Sequence, residues 1–243
     1  MKNVITIDGP SGSGKGTISK LLARKLGYSY LDTGALYRAV AWKAREEKIR
    51  TDDEEALERL LDDIRISFEG ERIFVDGSDV SAEIRTAEIG ELSSQVSAKP
   101  VVRTGLFSIQ REMGLTGNVV IEGRDTGTAI FPEAEHKFYL DAGIEERARR
   151  RYEELKNRTQ NTEHRTQNND KELKNRAQNT EHRTQTDSKQ LTIETVMEDL
   201  VKRDTRDASR ESSPLMKTDD MIYIDSTSLS IDEVVATIME HLK

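Results

Sequence analysis

The sequence of 243 residues predicts an α/β fold in which helices flank a mainly parallel β-sheet. Two observations support this prediction. Apolar runs of strand length alternate with stretches whose apolar residues recur at helical spacing. The first apolar run leads directly into a glycine-rich loop and then a helix, the order of a strand–loop–helix unit. Because helices separate the strands, we expect parallel pairing with right-handed crossovers.

The core elements can be assigned from these patterns in chain order. The first helix has apolar residues at helical spacing, including Ile18 and Leu22, and Gly27 ends it. We predict strands over 4–7, 28–32, 119–122, 137–141 and 221–225, and helices over 17–26, over 35–48 and from about residue 231.

The sequence between these core units has a different pattern. Apolar and polar residues alternate over 64–68, residues 69–71 supply a turn, and a second run over 72–75 continues to Val80. This pattern predicts a small antiparallel sheet inserted into the core. Residues 93–111 have helical spacing, with a break before Pro100. The predicted division is a core of 1–50, 100–150 and 205–243, an insertion over 51–99, and a lid over 151–204.

The predicted lid contains an internal duplication. A segment that starts at Leu155 recurs almost unchanged from Leu173, which is an offset of 18 residues. That offset equals five turns of an α-helix, so a helix could accept the extra copy without rotating the residues after it. Since Asn, Thr and Gln dominate, the segment has almost nothing to bury. We expect an exposed, mobile arm over 155–190, helical or partly disordered, with a packed subdomain as the alternative.

Composition limits the class of protein. The formal net charge of −8 argues against a general nucleic-acid binder. The absence of cysteine excludes disulfides, thiolate zinc sites and a thiol nucleophile. We find no signal-peptide pattern and no apolar stretch near the roughly 20 residues that span a bilayer. We therefore expect a cytoplasmic protein without membrane contact, and a monomer because no large apolar surface stripe is evident.

The loop after the first strand fits the phosphate-binding pattern Gly-x-x-x-x-Gly-Lys. Its glycines let backbone N–H groups approach phosphate oxygens, and Lys15 supplies a charge for the β- and γ-phosphates. Gly16 comes directly after the lysine, so Thr17 must provide the hydroxyl for the metal, an ending typical of small-nucleotide kinases. The predicted ATP-binding residues are Gly9, Pro10, Ser11, Gly12, Ser13, Gly14, Lys15, Gly16 and Thr17. This loop predicts a nucleoside triphosphate with Mg²⁺.

Two further clusters lie where predicted strands end. Thr33 and Arg38 come after the second strand and could offer a hydroxyl and a phosphate-binding guanidinium. Glu122 ends a later strand and, with Asp125, suits a carboxylate that organises Mg²⁺ and its waters opposite Thr17. Arg124 could hold a phosphate. The alternative for the first cluster is a helix cap with a solvated arginine. The alternative for the second is a polar strand–helix turn.

Two arginine-rich segments are less specific. The four arginines over 147–151 could close over a triphosphate or form a solvated face balanced by neighbouring glutamates, and both interpretations stay open. Arg203, Arg206 and Arg210 recur at helical spacing, with Asp207 beside them. We favour phosphate binding there over a salt-bridged surface helix.

These motifs, in this order, resemble bacterial cytidylate kinases. The segments that carry the resemblance are Gly9–Thr17, Asp32–Arg38, Gly123–Thr128, Phe131-Pro132, Arg203–Asp207 and the tail from Asp225. It covers nearly all of the chain except about 155–190. The resemblance implies a P-loop NTPase-type fold with an acceptor-binding insertion, and transfer of the γ-phosphoryl group of MgATP to CMP or dCMP.

The resemblance also implies roles for individual residues. Arg38, Arg124 and Arg203 would bind the acceptor phosphate, and Thr33 would lie near the acceptor nucleotide. The cytosine edge would be recognised by Ser94, Arg103 and Asp125, and the sugar by Asp207 and Arg210. Asp125 thus has two interpretations, metal and cytosine, of which the resemblance favours cytosine. Glu122 stands where the family has Asp, which leaves direct or water-mediated metal contact open.

Two rival functions are compatible with these patterns. A kinase of the same fold could phosphorylate a different small acceptor, such as UMP or shikimate. Alternatively, the chain could be a regulatory ATP-binding module whose 155–190 arm recruits a partner.

Overall fold

The computed structural model describes residues 3–157 and 191–242. The strands are β1 (Val4–Asp8), β2 (Ser29–Asp32), β3 (Ile66–Glu69), β4 (Arg72–Val75), β5 (Ser78–Asp79), β6 (Val119–Gly123), β7 (His136–Asp141) and β8 (Ile222–Asp225). The helices are α1 (Lys15–Leu26), α2 (Thr33–Glu46), α3 (Glu54–Asp63), α4 (Ala87–Val96), α5 (Pro100–Leu115), α6 (144–157), α7 (Ile193–Ser209) and α8 (Ile231–His241).

The core is a five-stranded sheet in the order β2-β6-β1-β7-β8, and every neighbouring pair is parallel. Helices cover both faces, so β1 and β6 are buried along their whole length, with no alternation between buried and exposed positions. Because the strands are parallel, their carboxyl ends meet at one edge of the sheet. Asp8, Asp32 and Glu122 therefore lie together there, and the predicted fold class is confirmed.

The insertion contains the predicted antiparallel sheet, in the order β3-β4-β5. Its apolar side chains pack into one cluster with helices on either side of it in the sequence. Leu36 of α2, Ile73 of β4 and Leu106 of α5 are each at most 2% exposed in that cluster. The insertion is therefore anchored on α2 and α5, the helices that carry Arg38 and Arg103.

Several elements differ from the sequence expectation, among them α4, which begins at Ala87 rather than at 93. Helix α3, which Asp53 caps by accepting from the backbone N–H of Ala56, lies in a stretch for which no helix was predicted. A single π-helical turn, Thr126–Ile130, comes after β6. The second helix starts at Thr33 rather than 35, because the Asp32 side chain accepts from the Ala35 N–H and caps it.

The two helices next to the predicted arm pack against each other through Ala148, Val196 and Leu200. The arm prediction itself falls almost wholly outside the described residues. Within 3–157 and 191–242, no helix is long and apolar enough to cross a membrane.

Candidate active site

The phosphate loop joins β1 to α1 in the predicted order. A side chain at Gly9 would lie 2.0 Å from the carbonyl oxygen of Leu140, so β7 forces a glycine there. Gly12 and Gly14 both have positive φ, which a glycine adopts without strain. Lys15 is 6% exposed and donates to the carbonyl of Pro10 at 2.7 Å. Burial, and then the charge of Arg124, lowers the Lys15 pKa to about 7.

One cavity of about 910 Å³ connects this loop with the carboxyl edge of the sheet, the insertion and α7. Most of the residues predicted from the sequence line it. They are Ser11, Gly12, Ser13, Gly14, Lys15, Gly16, Thr17, Thr33, Arg38, Arg103, Glu122, Arg124, Asp125, Arg203, Asp207 and Arg210. Gly9, Pro10 and Ser94 are not among the described residues that line it.

Three arginines from different elements form a cationic cluster opposite Lys15. Arg38 pairs with Asp32 at 2.7 Å, and Arg124 donates to Asp207 at 2.8 Å. Arg203 is partly buried, and its Nε has no hydrogen-bond partner among the described residues. Burial, with repulsion from Arg124, lowers the Arg203 pKa to about 10. The cluster therefore carries excess positive charge that an anion would offset.

At the far end of the cavity, Asp125 lies between two buried guanidinium groups. Its Oδ2 accepts from Arg103 and its Oδ1 accepts from Arg210 at 3.2 Å. The Arg103 guanidinium also lies 5.5 Å from the centre of the Tyr37 ring. All three charged side chains are at most 7% exposed. This end of the cavity presents fixed donors and a carboxylate acceptor.

Ser94 is the predicted recognition residue that the structure does not bring into the cavity lining. Its hydroxyl accepts from Arg206 at 2.6 Å, across two elements that are far apart in sequence. The neighbouring Ser93 and Ser97 line the cavity instead. The proposed contact of Ser94 with a base therefore stays a prediction.

The arginines of α6 make two kinds of contact. Arg149 and Arg151 pair with glutamates of their own helix. Arg147 donates to the carbonyl of Ser11 at 3.0 Å, and Arg150 donates to Ser13 at 3.3 Å. Arg147 and Arg150 thus contact the backbone of the phosphate loop, whereas Arg149 and Arg151 pair with glutamates and also line the cavity, so both interpretations of this segment stay open.

Sequence reasoning missed three polar residues of the site. Asp8 is fully buried and accepts from the backbone N–H groups of Thr126 and Gly127 at 2.9 and 2.7 Å, which fixes the loop after β6. Burial raises the Asp8 pKa to about 6. Asp204 accepts from Arg147 at 2.5 Å and lies 3.4 Å from the Ser11 N–H. Tyr30 donates to Glu122. Only the strand-end position of Asp8, directly before the glycine loop, could have indicated such a role.

Comparison with known proteins agrees with this geometry. The protein-family model described as cytidylate kinase matches residues 5–187 and 170–243, so the two matches overlap within the duplicated segment. A cytidylate kinase from Geobacter sp. (strain M21) is 44% identical, over 96% of this chain and 89% of its own length. One from Caldanaerobacter subterraneus subsp. tengcongensis is 41% identical, over 98% of this chain and 94% of its own.

Proposed function

The chain belongs to the cytidylate kinase family, and we propose that it transfers the γ-phosphoryl group of ATP to CMP or dCMP. The observation that carries this proposal is a single cavity lined both by the phosphate loop with Lys15 and by the cluster of three arginines. Arg124 and Arg203 lie near enough to Lys15 for their charges to lower its pKa, and the Nε of Arg203 has no hydrogen-bond partner among the described residues. The loop would accommodate the donor phosphates, and the neighbouring arginine cluster would accommodate the acceptor phosphate.

In the transfer, an oxygen of the acceptor phosphate attacks the γ-phosphorus, and the bond from that phosphorus to the β–γ bridging oxygen breaks. ADP and CDP or dCDP are the products. Little covalent participation by the protein is needed, so positioning and charge stabilisation supply most of the catalysis. Lys15 and the loop amides offset charge on the donor, while Arg38, Arg124 and Arg203 hold the acceptor phosphate.

The residues at the donor end fit Mg²⁺ by their chemistry. Thr17 and Glu122 offer a hydroxyl and a carboxylate, which are hard oxygen ligands, and both line the cavity. Within the described residues, no group of three or more acidic or histidine side chains could hold a metal by itself. This donor set suits an ion bound mainly through phosphates and water. When bound, Mg²⁺ supplies charge neutralisation at the β- and γ-phosphate oxygens.

Preference for cytosine would arise at the Asp125 end. A carboxylate has about four lone-pair positions, and Arg103 and Arg210 use one on each oxygen. The remaining positions can accept from the 4-amino group of cytosine. Uracil has a carbonyl oxygen at that position and would face the carboxylate as a second acceptor, which costs free energy when both are buried. A cytoplasmic location and a monomeric state are further predictions.

An assay of ADP release against a panel of acceptors tests the proposal. We expect rapid turnover with CMP and dCMP, slower turnover with UMP, and none above background with AMP or shikimate. A preference for UMP or shikimate would identify a kinase of the same fold with another acceptor. Failure of every acceptor to stimulate ADP release would instead favour a regulatory ATP-binding module.

A variant of Arg203 tests the acceptor-phosphate cluster. Arg203→Met removes a cation that burial and Arg124 disfavour, so the melting temperature of the ligand-free protein should rise, by about 1–3 °C. The same change should abolish most of the thermal stabilisation that CMP gives to the wild-type protein. Thermal melts with and without CMP measure both effects, and Lys202→Met, at an exposed neighbouring position, is the matched control. Full stabilisation of the variant by CMP would contradict the assignment.

A further inference from the structure

The carboxylate of Glu122 lies directly against the phosphate loop. A Cβ at Gly16 would be 3.1 Å from Oε1 of Glu122 and 3.6 Å from Oε2. The first distance is closer than an ordinary van der Waals contact, so any side chain at position 16 would press on this carboxylate. The glycine that separates Lys15 from Thr17 therefore has a structural partner on β6.

Tyr30 contacts the same carboxylate. Asp32 pairs with Glu122 in the β2–β6 register, and Tyr30 lies two residues earlier on the same face. The Tyr30 hydroxyl donates to Oε1 of Glu122. A phenol is protonated at neutral pH, so this hydroxyl is available as a donor. Among the described residues, none donates a hydrogen bond to Oε2.

We propose that Tyr30 is a positioning residue that fixes Glu122 against Gly16, so that Oε1 is held by the protein while Oε2 serves the nucleotide-bound cation or its waters. Gly16 is glycine because a side chain would displace that carboxylate. This assignment relates two features of the sequence, the glycine after Lys15 and a glutamate where the family resemblance implies an aspartate. It rests on the proposed phosphoryl transfer.

The first test is Tyr30→Phe, which removes only the hydroxyl. The Mg²⁺ concentration for half-maximal rate should rise about tenfold, the usual cost of losing a group that orients a metal-binding side chain. The KM for CMP should not change. Binding of Mn²⁺ to the enzyme–ADP complex, measured by electron paramagnetic resonance, should weaken by the same factor. This measurement does not depend on turnover.

The controls separate positioning from a structural role. Tyr28→Phe removes the hydroxyl of the tyrosine just before β2 and should leave Mn²⁺ binding unchanged. Glu122→Asp shortens the side chain out of reach of Tyr30, so Tyr30→Phe should add no further loss in that background. The proposal would be wrong if Tyr30→Phe lowered only the melting temperature and left Mn²⁺ binding unchanged. It would also be wrong if Tyr30→Phe weakened Mn²⁺ binding by the same factor in the Glu122→Asp background.

The second test uses the ligand-free protein and is independent of activity. Gly16→Ala should lower the melting temperature when Glu122 is present and should not lower it in a Glu122→Ala background. Gly90→Ala is the control, since a Cβ there meets no atom within 4 Å. Equal effects of Gly16→Ala in both backgrounds would overturn the packing argument.

Lack of CMP-dependent turnover in the wild type would refute the proposed function alone, because the Mn²⁺ and melting measurements would still test this proposal.

Discussion

Lys15→Ala should lower kcat by about 10²–10³-fold, the usual cost of removing one preorganised charge-stabilising donor. The Lys15 ammonium is buried beside the loop carbonyl of Pro10. Its pKa is lowered to about 7, mainly by burial, so the charged form is unfavourable in the free enzyme. The oxygens of a bound triphosphate would stabilise that charge. Steady-state turnover with saturating ATP and CMP measures the loss.

The same environment predicts that the Lys15 variant remains folded. Because burial disfavours the ammonium, replacing it with a methyl group should not lower the melting temperature. Lys25→Ala, at an exposed position of α1, is the matched control and should retain wild-type turnover. Turnover of Lys15→Ala within a few-fold of the wild type would refute the role of this loop.

The donor half of the site could be predicted because its signal is local. Strand, glycine turn, lysine and helix succeed one another within 26 residues, and the structure has them as β1, the loop and α1. Gly12 and Gly14 have positive φ, and Gly9 is forced by the backbone of β7. Position in the chain indicated phosphate binding by Arg38, Arg124 and Arg203, and the family resemblance implied that the phosphate is the acceptor's. The structure brings these three arginines to one cavity.

The residues that sequence reasoning missed depend on strand order and register. Tyr30 reaches Glu122 only because β2 pairs with β6, two strands that are far apart in the chain. Asp8 holds Thr126 across a separation of 118 residues, through the neighbouring strand β6. The contact of Ser94 with Arg206 likewise joins the insertion to α7. Spacing within one segment contains no information on such pairs, whereas the parallel sheet determines them once its order is known.

Asp125→Asn should lower the preference for CMP over UMP, expressed as the ratio of their kcat/KM values, by about 10²-fold. The carboxylate can only accept, so it favours the 4-amino group of cytosine over the 4-oxo group of uracil. An asparagine amide offers both a donor and an acceptor and can turn to suit either base. Initial rates with CMP and UMP over a range of concentrations give both kcat/KM values.

The variant should also lose stability, and this loss must be separated from the loss of specificity. Asp125 pairs with Arg103 and Arg210, and removing one partner of a buried charge group costs about 3–5 kcal/mol. Asp32→Asn is the control: Asp32 pairs with Arg38 of the acceptor-phosphate cluster, so its loss should lower kcat/KM for CMP and UMP equally. An unchanged ratio in Asp125→Asn, measured below its melting temperature, would show that the base is recognised elsewhere. A reduced ratio in that variant alone would assign recognition to the carboxylate, because lower stability diminishes the rates of both substrates together.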